Sequence, residues 1–173
     1  MSFRLWNERA CRLANALLGL GLRKGDRVAV LAYNCVEWAE IYAATAKAGL
    51  VAVPVNFRLV AAEAAFVIDN SEATAIIVQD ELRGVIEDVR AELPVAPDRY
   101  ICFGAMRAAA GWRDYEVLIS AARDAEPRQE VASADPWTLM YTSGTTGKPK
   151  GVIRSHKGGA LLSLVTQIEL GFT

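Results

Sequence analysis

The stretch with the most chemistry per residue is "YTSGTTGKPKG", Tyr141 to Gly151. It gathers Thr142, Ser143, Thr145 and Thr146, glycines at 144, 147 and 151, and lysines at 148 and 150. None of these side chains asks to be buried, yet the stretch follows directly on the apolar run Trp137 to Tyr141. Hydroxyl donors, ammonium groups and glycines that admit positive φ are the parts of an anion-binding nest, in which successive backbone N–H groups curl around a phosphate. The G-x-x-x-x-G-K-[ST] loop of many nucleotide hydrolases is excluded by spacing, because two residues separate Gly144 from Gly147 and Pro149 follows Lys148. Pro149 also disfavours helical geometry at Lys148, so no helix N-terminus can follow at once to hold the anion with its dipole. Small and hydroxyl-bearing residues also suit a loop that closes over phosphates. A solvated turn uses much the same residues and stays open as the plainer reading; the two lysines within the hydroxyl–glycine alternation favour phosphate.

Other reactive side chains lead nowhere so specific. His156, just beyond the loop, is read as a residue that orients local backbone rather than one that touches a substrate. Trp38 and Trp137 are expected to pack against the sheet. Lys47 is read as a cation at a helix C-terminus, where the dipole favours it. Cys35 is expected to be buried and inert.

The elements that must hold the loop follow from periodicity. Trp6, Ala10, Leu13, Leu17 and Leu20 recur at helical spacing, and Gly19 and Gly21 end the pattern. After the turn Lys24 to Asp26 comes an apolar run, Val28 to Ala32, suited to a buried strand. Asn34 with Glu37 predicts a capped helix to about Ala48, closed by Gly49. Strands are expected at 50–55, 75–78 and around 100–103, alternating with helices at 61–70, 81–93 and 115–123. Short apolar strands alternating with helices predict an α/β fold, a parallel sheet covered on both faces. The polar segment 124–136 reads as a connector. Beyond it a strand at 137–142, the loop, a strand at 151–154 and an apolar helix from about Gly158 complete the pattern. That helix meets neither a cap nor a following strand, so the chain reads as cut off.

Composition narrows the function classes. Nineteen basic and twenty acidic residues give a net charge of −1, which leaves no basic excess for nucleic acid. Three scattered cysteines and a single histidine supply neither a disulfide framework nor a zinc set, and fit reduced thiols in the cytoplasm. No signal-peptide pattern opens the chain, and no apolar stretch is long enough to span a bilayer. The apolar residues of the last helix, Leu161, Leu162, Leu164, Val165 and Ile168, predict association into a dimer or higher oligomer.

"LMYTSGTTGKPKGV" resembles the phosphate-binding motif of the AMP-forming adenylating enzymes, which include acyl-CoA synthetases, aryl-CoA ligases, luciferases and peptide-synthetase adenylation domains. The resemblance extends over essentially the whole chain, through "ACRLANALLGLGLRKGDRVAVLAYN" and the "KAG" segment before the second strand. "PVNFRL", Pro54 to Leu59, is similar to the acyl- and aryl-CoA ligases rather than to the peptide synthetases. The resemblance implies the layered α/β subdomain of the synthetases' large N-terminal domain, with residues 1–173 forming only part of it. It implies a ligase that joins a fatty or aromatic acid to CoA through an acyl-adenylate, with ATP, Mg²⁺ and CoA as participants. By the same resemblance Thr142, Ser143, Gly144, Thr145, Thr146, Gly147 and Lys148 would line the departing pyrophosphate, and Lys150 would support the loop. The family's adenine, ribose and metal motifs and its adenylation lysine all lie after this loop, so no catalytic residue and no metal ligand is expected within the chain. The 173-residue polypeptide is therefore expected to be inactive alone, the alternative being a non-catalytic scaffold that kept the fold.

Overall fold

A computed structural model describes residues 1–104, 109–142 and 149–171. Its centre is a seven-stranded sheet in the order β5-β4-β3-β1-β2-β6-β7. The strands are β1 (Arg27–Leu31), β2 (Val51–Val55), β3 (Ala73–Gln79), β4 (Tyr100–Phe103), β5 (Arg113–Asp114), β6 (Pro136–Thr142) and β7 (Lys150–Ser155). All neighbours run parallel except β6 and β7, which are antiparallel. Six α-helices accompany them among the described residues: α1 (Phe3–Gly19), α2 (Val36–Ala48), α3 (Ala61–Asn70), α4 (Arg83–Glu87), α5 (Tyr115–Ser120) and α6 (His156–Leu170).

The period-two alternation of each strand divides the core in two. Val28, Val30, Ala75, Ile77, Ile101 and Phe103 meet Leu13 and Leu17 of α1, Ile41 and Ala44 of α2, and Tyr115 and Ile119 of α5. Their neighbours Ala29, Leu31, Ile76, Val78, Tyr100 and Cys102 meet Ala64, Val67 and Ile68 of α3 and Ile86 of α4. A sheet covered on both faces explains why its strands read as unbroken apolar runs. Burial of each Val, Leu or Ile contributes about 1.5–3 kcal/mol, so this double core is the main source of stability.

Three expectations need correction. The helix expected at 81–93 is broken into a 3₁₀ turn (Asp80–Leu82), α4, and a second 3₁₀ turn (Arg90–Glu92). Leu82, Ile86, Val89 and Leu93 are all buried at helical spacing, which is why the sequence reads as continuous. Two features oppose one helix: Pro94 keeps Leu93 extended, and Arg90 turns aside to stack on Tyr100 at 4.1 Å and Trp112 at 5.0 Å. The second correction concerns α5, which stops at Ser120 and not Arg123. Arg12 donates to the carbonyl of Ala122 (2.5 Å), and Asn15 to those of Arg123 (3.0 Å) and Ala125 (2.8 Å), so α1 draws these carbonyls out of the helix. In the third, α2 begins one residue later than expected. Cys35, not Asn34, is its N-cap residue and gives it no side-chain hydrogen bond. The short strand β5 was not foreseen, since two residues cannot show a period. At the other end of α2, Gly49 closes the helix with φ +66°, as expected.

Candidate functional site

The residues read as a phosphate site fall at the far edge of the sheet, between β6 and β7. Ser143, Gly144, Thr145, Thr146, Gly147 and Lys148 lie outside the described residues. The two remaining members bracket them: Thr142 ends β6, Lys150 begins β7, and the two are paired across the strands. The Thr142 hydroxyl donates to the Lys150 carbonyl at 3.5 Å, and both residues are exposed. A strand follows Lys150, and the next helix starts only at His156. The segment is thus flanked by two strands, as Pro149 requires, and not by a helix N-terminus.

The position of this pair of strands is set from below. Among the described residues β6 joins the parallel sheet through one register pair, Ala52 with Thr138. A register irregularity between Pro136 and Thr138 takes Trp137 out of the strand's alternation. Trp137 therefore packs toward α2 and α6, while Leu139 and Tyr141 pack on the core under α3. The two faces of the strand are gripped from opposite sides of the sheet.

On the α2 side the grip is aromatic. Trp38 stacks on Tyr42 at 5.3 Å, Tyr42 meets Trp137 edge-on at 5.8 Å, and Trp137 stacks on His156 at 6.2 Å. Trp38 donates its indole N–H to the Tyr33 carbonyl, and Trp137 donates to that of Tyr42. Both tryptophans are packing residues, as their sequence context suggested. Gly159 of α6 lies on the Trp137 ring and Gly151 of β7 lies beside Leu139 and Tyr141, so a Cβ at either would collide.

His156 opens α6. Its backbone N–H donates to the Asp135 carbonyl (3.1 Å), that of Lys157 donates to the Ser133 carbonyl (2.8 Å), and the Ser155 hydroxyl caps the helix. The turn Ala132–Asp135 thereby fixes where the helix starts, and Lys24 holds the Asp135 carboxylate at 2.7 Å. The His156 Nε2 is buried with no hydrogen-bond partner among the described residues, and burial pulls its pKa below the ordinary histidine value, against the pull of Asp135. The ring is a neutral packing group beside Trp137. Lys47, in the last turn of α2, is paired with the Glu126 carboxylate at 2.7 Å. Cys35 is half-buried, and desolvation raises its thiol pKa, as it does for buried Cys11 and Cys102.

Sequence reasoning missed Tyr141 and Asn70. The Tyr141 phenol donates to Asn70 Oδ1 at 2.7 Å, tying β6 to the last residue of α3. Nothing in a single sequence links positions so far apart.

The fold is a mostly parallel α/β sheet whose last two strands in sequence, β6 and β7, bracket the Gly-, Thr- and Lys-rich segment. The chain belongs to the AMP-binding enzyme family, whose sequence profile matches residues 1–172. It is 40% identical over 157 residues to the long-chain-fatty-acid–CoA ligase FadD13 of Mycobacterium tuberculosis, covering 91% of this chain and 30% of that protein. With the medium-chain-fatty-acid–CoA ligase of Ectopseudomonas oleovorans it shares 34% identity, over 93% of this chain and 31% of that one. Among solved structures, the anthranilate CoA ligase AuaEII in complex with anthranoyl-AMP superposes with a TM-score of 0.89 at 30% identity. That superposition covers 95% of this chain and 31% of the ligase. The long-chain-fatty-acid–CoA ligase FadD1 of Archaeoglobus fulgidus gives a TM-score of 0.89 at 25% identity, over all of this chain and 33% of that one. The chain thus spans about a third of the relatives it matches.

Proposed function

We propose that this chain supplies the pyrophosphate-gripping part of an ATP-dependent acyl- or aryl-CoA ligase. The observation that carries the reading is the unbroken motif from Leu139 to Lys150, within which Thr142 and Lys150 are held opposite each other on paired strands. The relatives' names support the ligase class, and they include both fatty-acid and aromatic-acid ligases.

In this reading the acid's carboxylate attacks the α-phosphorus of ATP and pyrophosphate departs. The hydroxyls of Thr142, Ser143, Thr145 and Thr146, the backbone at Gly144 and Gly147, and the Lys148 ammonium stabilise charge on the leaving group, with Lys150 supporting the loop. Such stabilisation and in-line positioning account for most of the catalysis in this kind of displacement. The CoA thiol then attacks the carbonyl of the acyl-adenylate, loses its proton, and AMP leaves as the thioester forms. Mg²⁺ would neutralise charge on the ATP phosphates. Among the described residues no group of three or more His, Cys, Asp or Glu is placed to hold a metal ion. Among those residues, too, no helix is long and apolar enough to cross a membrane.

The test is titration of the isotope-labelled chain with pyrophosphate and with ATP. Amides of Ser143 to Gly147 should shift, and Lys148→Ala should weaken binding by about 1.5–3 kcal/mol, the worth of a charge-assisted hydrogen bond. Unchanged affinity in Lys148→Ala would remove that lysine from the phosphate site. The isolated polypeptide is expected to catalyse no acid-dependent exchange of pyrophosphate into ATP, because acid, α-phosphate and metal must be fixed together and each misplaced partner costs orders of magnitude in rate.

A further inference from the structure

We propose that Tyr141 and Asn70 form a positioning pair that sets where the phosphate segment begins. The inference rests on the phosphate reading of that segment. It starts from how β6 is paired: among the described residues its register pair with β2 is Ala52–Thr138, and no ladder pair with β2 follows from Leu139 to Thr142. Among the described residues their strand partner is β7, which stands at the edge of the sheet. Beyond Thr138 the pair is held largely by side chains, Leu139 and Tyr141 packing on the core under α3, and a polar bond near its far end adds a directional tie.

Tyr141 is that tie. It stands next to Thr142, on the face turned toward α3, and its phenol donates to Asn70 Oδ1 at 2.7 Å. Asn70 is the last residue of α3, a helix anchored in the core by Ala64, Val67 and Ile68. The bond therefore links the end of the β6–β7 pair to a fixed part of the domain. A second observation agrees. Opposite Tyr141 stands Gly151, where a Cβ would come 3.4 Å from the Tyr141 ring and 2.8 Å from Leu139 Cδ1. The absent side chain leaves room beside β7 for Leu139 and the Tyr141 ring. Tyr141 acts as a positioning residue, through Thr142 and the segment that follows.

Four variants of the chain test the pair: Tyr141→Phe, Asn70→Leu, their double, and Asn70→Asp, which keeps an acceptor for the phenol. Pyrophosphate affinity measured by calorimetry should fall about three- to tenfold in each of the first two, the worth of one hydrogen bond. The double should lose no more than either single change, because both remove the same interaction. Asn70→Asp should bind as the parent does. Full affinity in Tyr141→Phe, additive losses in the double, or no recovery in Asn70→Asp would each overturn the proposal. Hydrogen exchange at the Tyr141 and Val152 amides decides the matter without ligand, and should quicken in Tyr141→Phe and Asn70→Leu while the melting temperature barely moves. Unchanged exchange overturns the pair even if pyrophosphate binds. Failure of the parent chain to bind pyrophosphate, with faster exchange in the variants, would instead overturn the phosphate reading and leave the pair standing as the tie of β6.

Discussion

Gly159 lies flat against the indole of Trp137, and a Cβ built on it would fall 2.4 Å from Trp137 Cζ3 and 2.6 Å from Cε3. No real side chain tolerates that approach, so the start of α6 and the root of β6 can sit together only while residue 159 is glycine. Its neighbour Gly158 is different, since a Cβ there would meet only Arg154 Cγ and Ser155 Oγ at 3.5 Å.

Two alanine substitutions one residue apart should therefore have opposite signs. Gly158→Ala should be neutral or raise stability by up to about 1 kcal/mol, the gain of alanine over glycine in a helix. Gly159→Ala should cost about 1–3 kcal/mol by overpacking, with a change in tryptophan fluorescence as Trp137 moves. Thermal melts of the two variants check the contrast. Equal effects would mean that α6 shifts freely over Trp137.

Glu40 is 2% exposed in the midst of three helices. Arg9 of α1 grips it through Nε at 2.6 Å and Nη2 at 3.1 Å, Tyr115 of α5 donates its hydroxyl at 2.8 Å, and Arg9 also reaches Glu116. Burial and the neighbouring carboxylate raise the Tyr115 pKa strongly, so the phenol stays a donor throughout the working range. Removing one partner leaves a buried charge short of a bond. Arg9→Ala should cost about 3–5 kcal/mol, and Tyr115→Phe about 1–3 kcal/mol. Denaturant unfolding measures both, with the Arg9 loss expected to be the larger.

His156 gives a pH dependence with a definite sign. Its folded-state pKa is lowered by burial, so the unfolded chain takes up the proton first as pH falls. The stability that follows from a neutral buried ring is complete above the ordinary histidine pKa of about 6.5 and is lost as pH falls below it, toward the lowered folded value. A His156→Gln variant should lack that part of the decline. Melting temperatures of both proteins across about pH 7.5 to 5.5 test this, and parallel curves would assign the loss to other groups.

The outer surface of α6 is apolar: Leu161, Leu162, Leu164, Val165, Ile168 and Leu170 are all about half exposed or more. Beside it β7 is a sheet edge with Val152 and Ile153 also exposed. An open edge next to an apolar helix favours pairing between chains. The 173-residue polypeptide is therefore expected to sediment as a dimer or larger species, and Leu164→Lys with Ile168→Lys should shift it toward monomer. A parent chain that stays monomeric across a wide concentration range would refute this.

Much of the molecule was determined locally. The runs Val28 to Leu31 and Ala75 to Val78 are apolar because both sides of the sheet are covered, and the boundaries of α3 follow from its own residues. The Gly-, Thr- and Lys-rich motif is contiguous, so the proposed phosphate site rests on eleven neighbouring residues, and Pro149 argues against a helix directly behind Lys148. What the sequence could not determine depends on contacts between distant residues. The periodicity that runs through Val89 and Leu93 predicts one helix, but Arg90 breaks it by stacking on Tyr100 and Trp112. The end of α5 was set by Arg12 and Asn15, more than a hundred positions away. The strand order, with β3 beside β1 and β6 beside β2, and the bond from Tyr141 to Asn70 likewise have no local signature. Hydrophobic period is a property of neighbouring residues and survives in one dimension; a hydrogen bond across 71 positions exists only once the chain has closed on itself.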